Sequence, residues 1–162
     1  PQEMGKGFEF VNEVKQGRDM FDEIYRDPAI LSEFLKAMTG LSLGAAHAIA
    51  EKFPWGDYKS FADIGTAQGG LAVGIARAHP HLNGIGFDLP VVKPHFEAYA
   101  AQHGLSARAS FHAGDFFAQP MPSGDGLVMG ASRVVAAGRC RWYEGRQTRD
   151  GIVILERGAR VC

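Results

Sequence analysis

Short apolar segments alternate with helical segments from residue 60 onwards, and this alternation restricts the fold more than any other feature of the sequence. Consecutive strands that are separated by helices pair in parallel through right-handed crossovers. The sequence therefore predicts a doubly wound α/β fold with a partial parallel sheet and a ligand site at the carboxyl ends of the strands. The predicted strands are residues 60–64, 82–87, 108–113 and 126–129, and the predicted helices are residues 70–78 and 90–103.

Three helices are expected before the first strand. An amphipathic helix is predicted within residues 1–26. Asp27-Pro28 is typical of a helix start, and apolar residues at helical spacing follow it until Thr39-Gly40, where we expect this second helix to end. A third helix is predicted over residues 42–53. Residues 1–59 are thus interpreted as a helical lead-in segment.

The composition changes sharply near the end of the sequence. Residues 133–162 hold seven Arg and no Lys, whereas residues 1–132 hold six Lys and four Arg. A further strand is suggested at residues 152–155, but glycines interrupt the segment before it. Two interpretations stay open, an arginine-rich surface tail or a segment read in a shifted frame. We therefore separate an atypical tail, residues 131–162, from a core of residues 60–130.

The overall composition argues against several classes of protein. The net charge of −1 gives no field that would favour nucleic acid or acidic lipid. No apolar run reaches the roughly 18 residues that a membrane helix needs. The two cysteines, Cys140 and Cys162, form neither a disulfide framework nor a metal motif. We expect a cytoplasmic protein with no metal site and no nucleic-acid or membrane partner, and, because the sequence starts at Pro1, further residues upstream.

The strongest motif runs from Asp63 to Gly69 and reads Asp-Ile-Gly-Thr-Ala-Gln-Gly. Gly65 allows the backbone to approach a ligand closely, and the helix that follows offers free N–H groups to a carboxylate. The dinucleotide motif G-x-G-x-x-G has a glycine where Ala67 stands. A ligand with an amino-acid tail is therefore favoured over a diphosphate, and an ordinary tight turn between strand and helix is the structural alternative.

Two further carboxylates follow the next predicted strands. Asp88 comes 23 residues after Gly65, where it can accept hydrogen bonds from both hydroxyls of a ribose. Its structural alternative is a cap for the helix that Pro90 opens. After the third strand, Asp115 can accept from an adenine amine and Phe116 can cover the ring. A turn aspartate beside core aromatic residues explains that pair equally well.

These elements, in this order and spacing, resemble the class I S-adenosylmethionine (SAM) dependent methyltransferases. Gly86-Phe87-Asp88-Leu89-Pro90, with Phe34-Leu35-Lys36-Ala37-Met38 upstream, is similar to the O-methyltransferase family of caffeate, acetylserotonin and bacterial polyketide enzymes. The resemblance covers residues 18–130 and implies a Rossmann-like core that binds SAM. It also implies methyl transfer from SAM to a hydroxyl of a small aromatic or polyketide-like acceptor. Full-length members of the family are expected to be homodimers.

The resemblance assigns roles to individual residues. The glycine loop contacts the amino-acid portion of SAM, and Ser42 reaches its carboxylate. Asp88 holds the ribose, and Asp115 with Phe116 holds the adenine. Met38 lines the acceptor pocket, a position that plain core packing explains nearly as well. The implied cofactor-binding residues are Ser42, Asp63, Gly65, Asp88, Asp115 and Phe116.

The sequence departs from the family at the general base. In the family, the fourth strand leads into a His-Asp-Trp segment whose histidine removes the acceptor proton. Alignment on residues 127–130 puts Val134 at that histidine, and no histidine follows His112. We therefore expect no catalytic residue in this chain, and an inactive SAM-binding protein or truncated product stays open beside a methyltransferase. A nucleotide-dependent oxidoreductase is the weaker alternative, because residues 66–68 supply no pyrophosphate-binding glycine.

Overall fold

The computed structural model describes residues 20–115, 118–119, 122, 125–129, 145–147 and 153–155. The amphipathic helix predicted within residues 1–26 is described from residue 20, and residues 20–26 are helical. In the part of the chain that is described, no helix is both long enough and apolar enough to span a membrane. The main elements are helices α1 (Pro28–Lys52), α2 (Gly70–Ala78) and α3 (Lys93–Gln102), and strands β1 (Ser60–Ile64), β2 (Asn83–Asp88), β3 (Ala109–Ala113), β4 (Gly126–Met129), β5 (Gly145–Gln147) and β6 (Val153–Leu155).

The strands form one sheet in the order β3-β2-β1-β4-β6-β5. The first four are parallel, with Ile64 opposite Phe87 and Asp88 opposite Ala113, so the carboxyl ends of β1, β2 and β3 lie at one edge. β6 pairs antiparallel with β4, and β5 pairs antiparallel with β6. The predicted Rossmann-like α/β architecture with a partial parallel sheet is confirmed, and the strand suggested near residue 152 is β6.

The expectation that a helix ends at Thr39-Gly40 is wrong, because α1 continues through these residues. Thr39 Oγ1 donates to the Leu35 carbonyl at 3.0 Å, and Ser42 Oγ donates to the Met38 carbonyl at 2.6 Å. Both hydroxyls therefore bond back onto their own helix instead of capping a new one. A glycine inside a helix costs about 1 kcal/mol. Complete burial of Leu35, which is 0% exposed, stabilises by about 1.5–3 kcal/mol and outweighs that cost.

The chain divides into two compact units, Pro1–Phe34 and Leu35–Cys162. In the first unit, Asp27 Oδ1 accepts the N–H groups of Ala29 and Ile30 at 2.8 and 3.2 Å. This is the side-chain cap that the sequence predicts for the start of α1. The division into lead-in, core and tail that the sequence suggests stays a prediction.

The core of the second unit forms where α1, α2 and α3 pack with the sheet. Two glycines on α2 let α1 come close: a Cβ on Gly70 would lie 3.0 Å from Thr39 Cγ2, and one on Gly74 would lie 2.9 Å from Ala46 Cβ. This contact places α1 beside the start of α2, where the glycine motif ends. The largest fully buried side chains of this unit include Trp55, Phe61, Ile64, Ile75, Leu82, Phe87 and Phe96.

Candidate functional site

The loop between β1 and α2, residues 65–69, is called the glycine loop below. Its start is attached to the neighbouring strand, because the Gly65 N–H donates to the Phe87 carbonyl at 2.9 Å. Three residues of this loop have a positive φ: Gly65 at 71°, Ala67 at 52° and Gly69 at 94°. A left-handed backbone is easy for glycine but costs roughly 1–2 kcal/mol at Ala67. The loop is therefore wound tightly at the carboxyl edge of the sheet, and its surroundings hold it in that shape.

Asp63 lies near the end of β1 and is 2% exposed. Thr66 Oγ1 donates to Asp63 Oδ2 at 2.8 Å, and the Ala72 N–H in the first turn of α2 donates to the same carboxylate. Burial raises the pKa of Asp63 to about 7, and the neighbouring Asp88 charge adds to the rise, while the two hydrogen bonds oppose it. The carboxyl group of Asp63 therefore ties the glycine loop to the helix behind it.

Asp88 is the last residue of β2 and is 8% exposed. The Ala67 N–H donates to its Oδ2 at 2.9 Å, and the Leu89 N–H donates to its Oδ1 at 2.8 Å. An ionised carboxylate has about four acceptor positions, so each oxygen keeps acceptor capacity. Burial raises the pKa of Asp88, and the two N–H groups oppose that rise. A desolvated carboxylate with spare acceptor positions is suited to binding hydroxyl groups.

Asp115 follows β3 at the same edge of the sheet and is half-buried. The residue before it connects this strand end to β2, because the Gly114 N–H donates to the Asp88 carbonyl at 2.9 Å. A Cβ on Gly114 would lie 2.6 Å from Phe87 Cε2, so the close approach requires glycine here. Asp63, the glycine loop, Asp88 and Asp115 together form what we call the strand-end site. Phe116, predicted to cover an adenine ring, lies outside the described residues.

Two predicted residues lie on α1. Ser42 is half-buried, and its Oγ is 3.2 Å from the position that a Cβ on Gly70 would take. The helix therefore carries Ser42 to the start of α2, beside the glycine loop. Met38 lies one turn earlier and is also half-buried. Its carbonyl accepts from Ser42 Oγ, so the two residues share one region of the helix surface.

The structure brings most of the predicted site residues together. Ser42, Gly65, Asp88 and the other strand-end residues meet where α1, α2 and the carboxyl ends of the strands converge. Val134, the residue aligned with the general base, lies outside the described residues. In the described part of the chain, no group of three or more histidine, cysteine or acidic residues is arranged to hold a metal ion.

The sequence interpretation used Gly86 only as part of a family motif and did not single out Phe96, and the two residues pack against each other behind the glycine loop. It also gave no role to Thr66, whose hydroxyl bonds to Asp63. A signal was present, since β2 contains both Gly84 and Gly86, and glycine inside a short strand often marks the close approach of another group.

The strand-end site can hold a ligand by two kinds of contact. The first N–H groups of α2 lack intrahelical partners and favour an anionic group such as a carboxylate. Asp88, which bonds to the Ala67 N–H of the glycine loop, offers acceptor oxygens to paired hydroxyls. A ligand with an amino-acid end and a sugar fits both contacts.

A protein-family model described as an O-methyltransferase domain matches residues 4–135. The tetracenomycin polyketide synthesis 8-O-methyl transferase TcmO of Streptomyces glaucescens is 39% identical over 106 residues, which are 65% of this chain and 31% of TcmO. The N,N-dimethyltransferase OxyT of Streptomyces rimosus is 39% identical over 114 residues, which are 70% of this chain and 33% of OxyT. The chain therefore spans about a third of the length of these curated relatives.

A solved structure shares the fold. It is the O-methyltransferase NcsB1 from neocarzinostatin biosynthesis, crystallised with SAM and 2-hydroxy-5-methyl naphthoic acid. Its TM-score to this chain is 0.60 at 25% identity, over 74% of this chain and 41% of NcsB1.

Proposed function

Because the chain belongs to the O-methyltransferase family, we propose that its strand-end site binds SAM as the cofactor site of a methyltransferase. The reaction proposed for the whole protein is methyl transfer to a hydroxyl of a small aromatic or polyketide-like acceptor. Two relatives support this substrate class, since TcmO is named for O-methylation in polyketide synthesis and NcsB1 was crystallised with a naphthoic acid.

The position of Asp88 is the observation that carries the proposal. Its carboxylate is almost fully buried, is held by the Ala67 N–H, and keeps acceptor capacity on both oxygens. We assign the ribose hydroxyls to these oxygens. A residue that served only as a helix cap would not need to accept from the loop of another strand, 21 residues away in sequence.

The other residues of the site are assigned by the same fit. Ser42, beside the glycine loop, would hold the amino-acid carboxylate together with the free N–H groups of α2. Gly65 would let the ligand approach the backbone, and Asp115 with Phe116 would hold the adenine. Asp63 would take part through the glycine loop, which it fastens to α2. SAM, when bound, supplies a methyl group on a sulfonium that is activated for transfer.

Met38, which is half-buried on α1 near Ser42, is assigned to the pocket that would bind the methyl acceptor. A nitrogen acceptor is a second candidate, because the relative OxyT is named as an N,N-dimethyltransferase and is as similar to this chain as TcmO is. Incubation with SAM and matched phenolic and amino-substituted polycyclic compounds distinguishes the two by the mass and position of the added methyl group. SAM binding without turnover would support the inactive alternative.

The proposed setting follows from charge and composition. The net charge of −1 and the two cysteines support a cytoplasmic protein that works on a small molecule and not on nucleic acid or at a membrane. We propose that the full-length protein is a homodimer, as the family resemblance implies.

Calorimetric titration with S-adenosylhomocysteine, the demethylated product of SAM, tests the proposal. We expect the wild-type chain to bind it and Asp88→Ala to bind about tenfold to a hundredfold more weakly, since charge-assisted hydrogen bonds to the ribose are lost. Asp57→Ala removes an exposed carboxylate outside the site and should bind like the wild type. Equal affinities for Asp88→Ala and the wild type would remove Asp88 from the site, and a wild-type chain that does not bind would contradict the proposed function.

A further inference from the structure

The ring of Phe96, on α3, lies against two glycines from different elements. Phe96 is 0% exposed. A Cβ on Gly69, the last residue of the glycine loop, would lie 2.8 Å from both Cδ2 and Cε2 of the ring. A Cβ on Gly86, in β2, would overlap Phe96 Cε2 and would lie 2.8 Å from Thr66 Cγ2. The ring therefore occupies the space that any other residue at either glycine would need.

This packing reaches the groups that form the strand-end site. Thr66, whose methyl lies beside Gly86, donates its hydroxyl to Asp63. The next residue, Ala67, donates its N–H to the Asp88 carboxylate. A displacement of Thr66 would therefore move two groups: the Thr66 hydroxyl that bonds to Asp63 on β1, and the neighbouring Ala67 N–H that bonds to Asp88.

The ring is also in contact with β3. Phe111, on β3, packs on Phe96 with ring centroids 5.4 Å apart at an interplanar angle of 54°. Phe96 is thus held by β3 while it bears on β2 and on the end of the glycine loop. Close-packed interiors transmit small displacements instead of absorbing them. A change in this packing is therefore expected to shift the loop.

We propose that Phe96 is a positioning residue of the cofactor site, a wedge that sets the shape of the glycine loop by filling the gap between Gly69 and Gly86. Phe96 does not touch the ligand in this assignment; it acts through Thr66 and Ala67 on Asp88. The consequence for SAM affinity rests on the proposed function. The consequence for the Ala67–Asp88 hydrogen bond does not, because that bond exists without ligand.

The test inserts one methyl group into the gap. Gly86→Ala should weaken S-adenosylhomocysteine binding by about tenfold to a hundredfold, because overpacking of this size displaces the ring and Thr66. It should also move the Ala67 amide signal in ¹H–¹⁵N spectra of the ligand-free chain. The matched control is Gly84→Ala, on the same face of the same strand, where the added Cβ would lie 3.1 Å from Phe61 Cζ and away from the loop. Gly84→Ala should leave both the affinity and the Ala67 signal close to wild type.

A second change should rescue the first. In Gly86→Ala/Phe96→Leu the smaller side chain removes the overlap with the ring and leaves only the contact of the new methyl group with Thr66 Cγ2. We therefore expect the Ala67 signal to move back towards its wild-type position and the affinity to recover in part, above that of Gly86→Ala. Phe96→Leu alone should weaken binding because it leaves the gap partly empty. Loss of stability alone would not produce recovery in the double variant.

The possible outcomes separate this inference from the proposed function. If Gly86→Ala and Gly84→Ala are equally impaired, or if Gly86→Ala is folded with an unchanged Ala67 signal, Phe96 has no positioning role. If Gly86→Ala does not fold, Phe96→Leu decides by the same amide signal: a shifted Ala67 signal supports the proposal, and an unchanged one overturns it. In a further outcome, the wild-type chain binds no S-adenosylhomocysteine while Gly86→Ala still moves the Ala67 signal and the double variant still moves it back. In that case the proposed function is wrong, and the positioning role of Phe96 is supported.

Discussion

The ends of β1 and β2 carry the same sequence feature, an aspartate after buried strand residues, yet the structure uses the two carboxylates differently. Asp63 accepts from Thr66 and from the Ala72 N–H, both in the segment that directly follows it. Asp88 accepts from Ala67, which lies in the loop of the neighbouring strand. The first carboxylate is used within its own strand–loop–helix unit and builds the loop. The second joins β2 to the loop that follows the neighbouring strand β1.

We expect the largest measurable effect of Asp63 in the way the free energy of unfolding depends on pH. The pKa of Asp63 is about 7 in the folded chain against an ordinary 3.8, so the folded state holds the proton more tightly. The stability that this group contributes is complete below its unfolded pKa and is lost as pH rises through the folded pKa, a change of about 4 kcal/mol. Burial raises the pKa of Asp88 too, so Asp88 contributes with the same sign.

Urea unfolding of the wild type and Asp63→Asn between about pH 4 and about pH 8 measures this effect. The asparagine keeps an acceptor for Thr66 but does not titrate, so its unfolding free energy should fall much less over this range. Asp57→Asn, at an exposed aspartate, should keep the wild-type slope. An unchanged slope in Asp63→Asn would show that Asp63 is ionised when folded and would remove the distinction between the two carboxylates.

A smaller effect is expected when the hydroxyl that satisfies Asp63 is removed. Thr66→Val keeps the methyl group beside Gly86 and loses the donor to Asp63 Oδ2, so the free energy of unfolding at neutral pH should fall by about 1–2 kcal/mol. The pKa of Asp63 should rise further, because one of the hydrogen bonds that lower it is lost. Thr66→Ser, which keeps the hydroxyl, is the control, and Thr66→Val at wild-type stability would argue against a structural hydrogen bond here.

Replacing each carboxylate by an amide should change ligand affinity by different amounts. Asp63→Asn should bind S-adenosylhomocysteine within about threefold of wild type, because Asp63 acts through the loop and the asparagine still accepts from Thr66. If Asp88 holds the ribose as proposed, Asp88→Asn removes the charge that would face the ligand and should bind about tenfold more weakly or worse. Equal losses in the two variants would mean that both carboxylates contact the ligand, or that neither does.

Features that depend on neighbouring residues in the chain were largely predictable. The bounds of β1 and β4 agree with the predicted strands, and the cap at Asp27 is where the sequence places it. The break expected at Thr39-Gly40 was wrong because two hydroxyls bond along the helix and its apolar face is buried. Local propensity favoured an end to the helix there, and tertiary packing outweighed it.

Local patterns along the chain were enough to predict the α/β architecture, the glycine loop after β1 and the order of the aspartates, because periodicity, turn residues and strand ends are local properties. The long-range contacts settled which carboxylate bonds within its own strand–loop–helix segment and which accepts from the loop of the neighbouring strand. They also decided that Phe96 fills the gap left by Gly69 and Gly86. Those outcomes depend on which strands are neighbours and on how closely α3 packs on them. Such contacts join residues that are far apart in the chain, and the identity of a single residue does not reveal which distant residue it will contact.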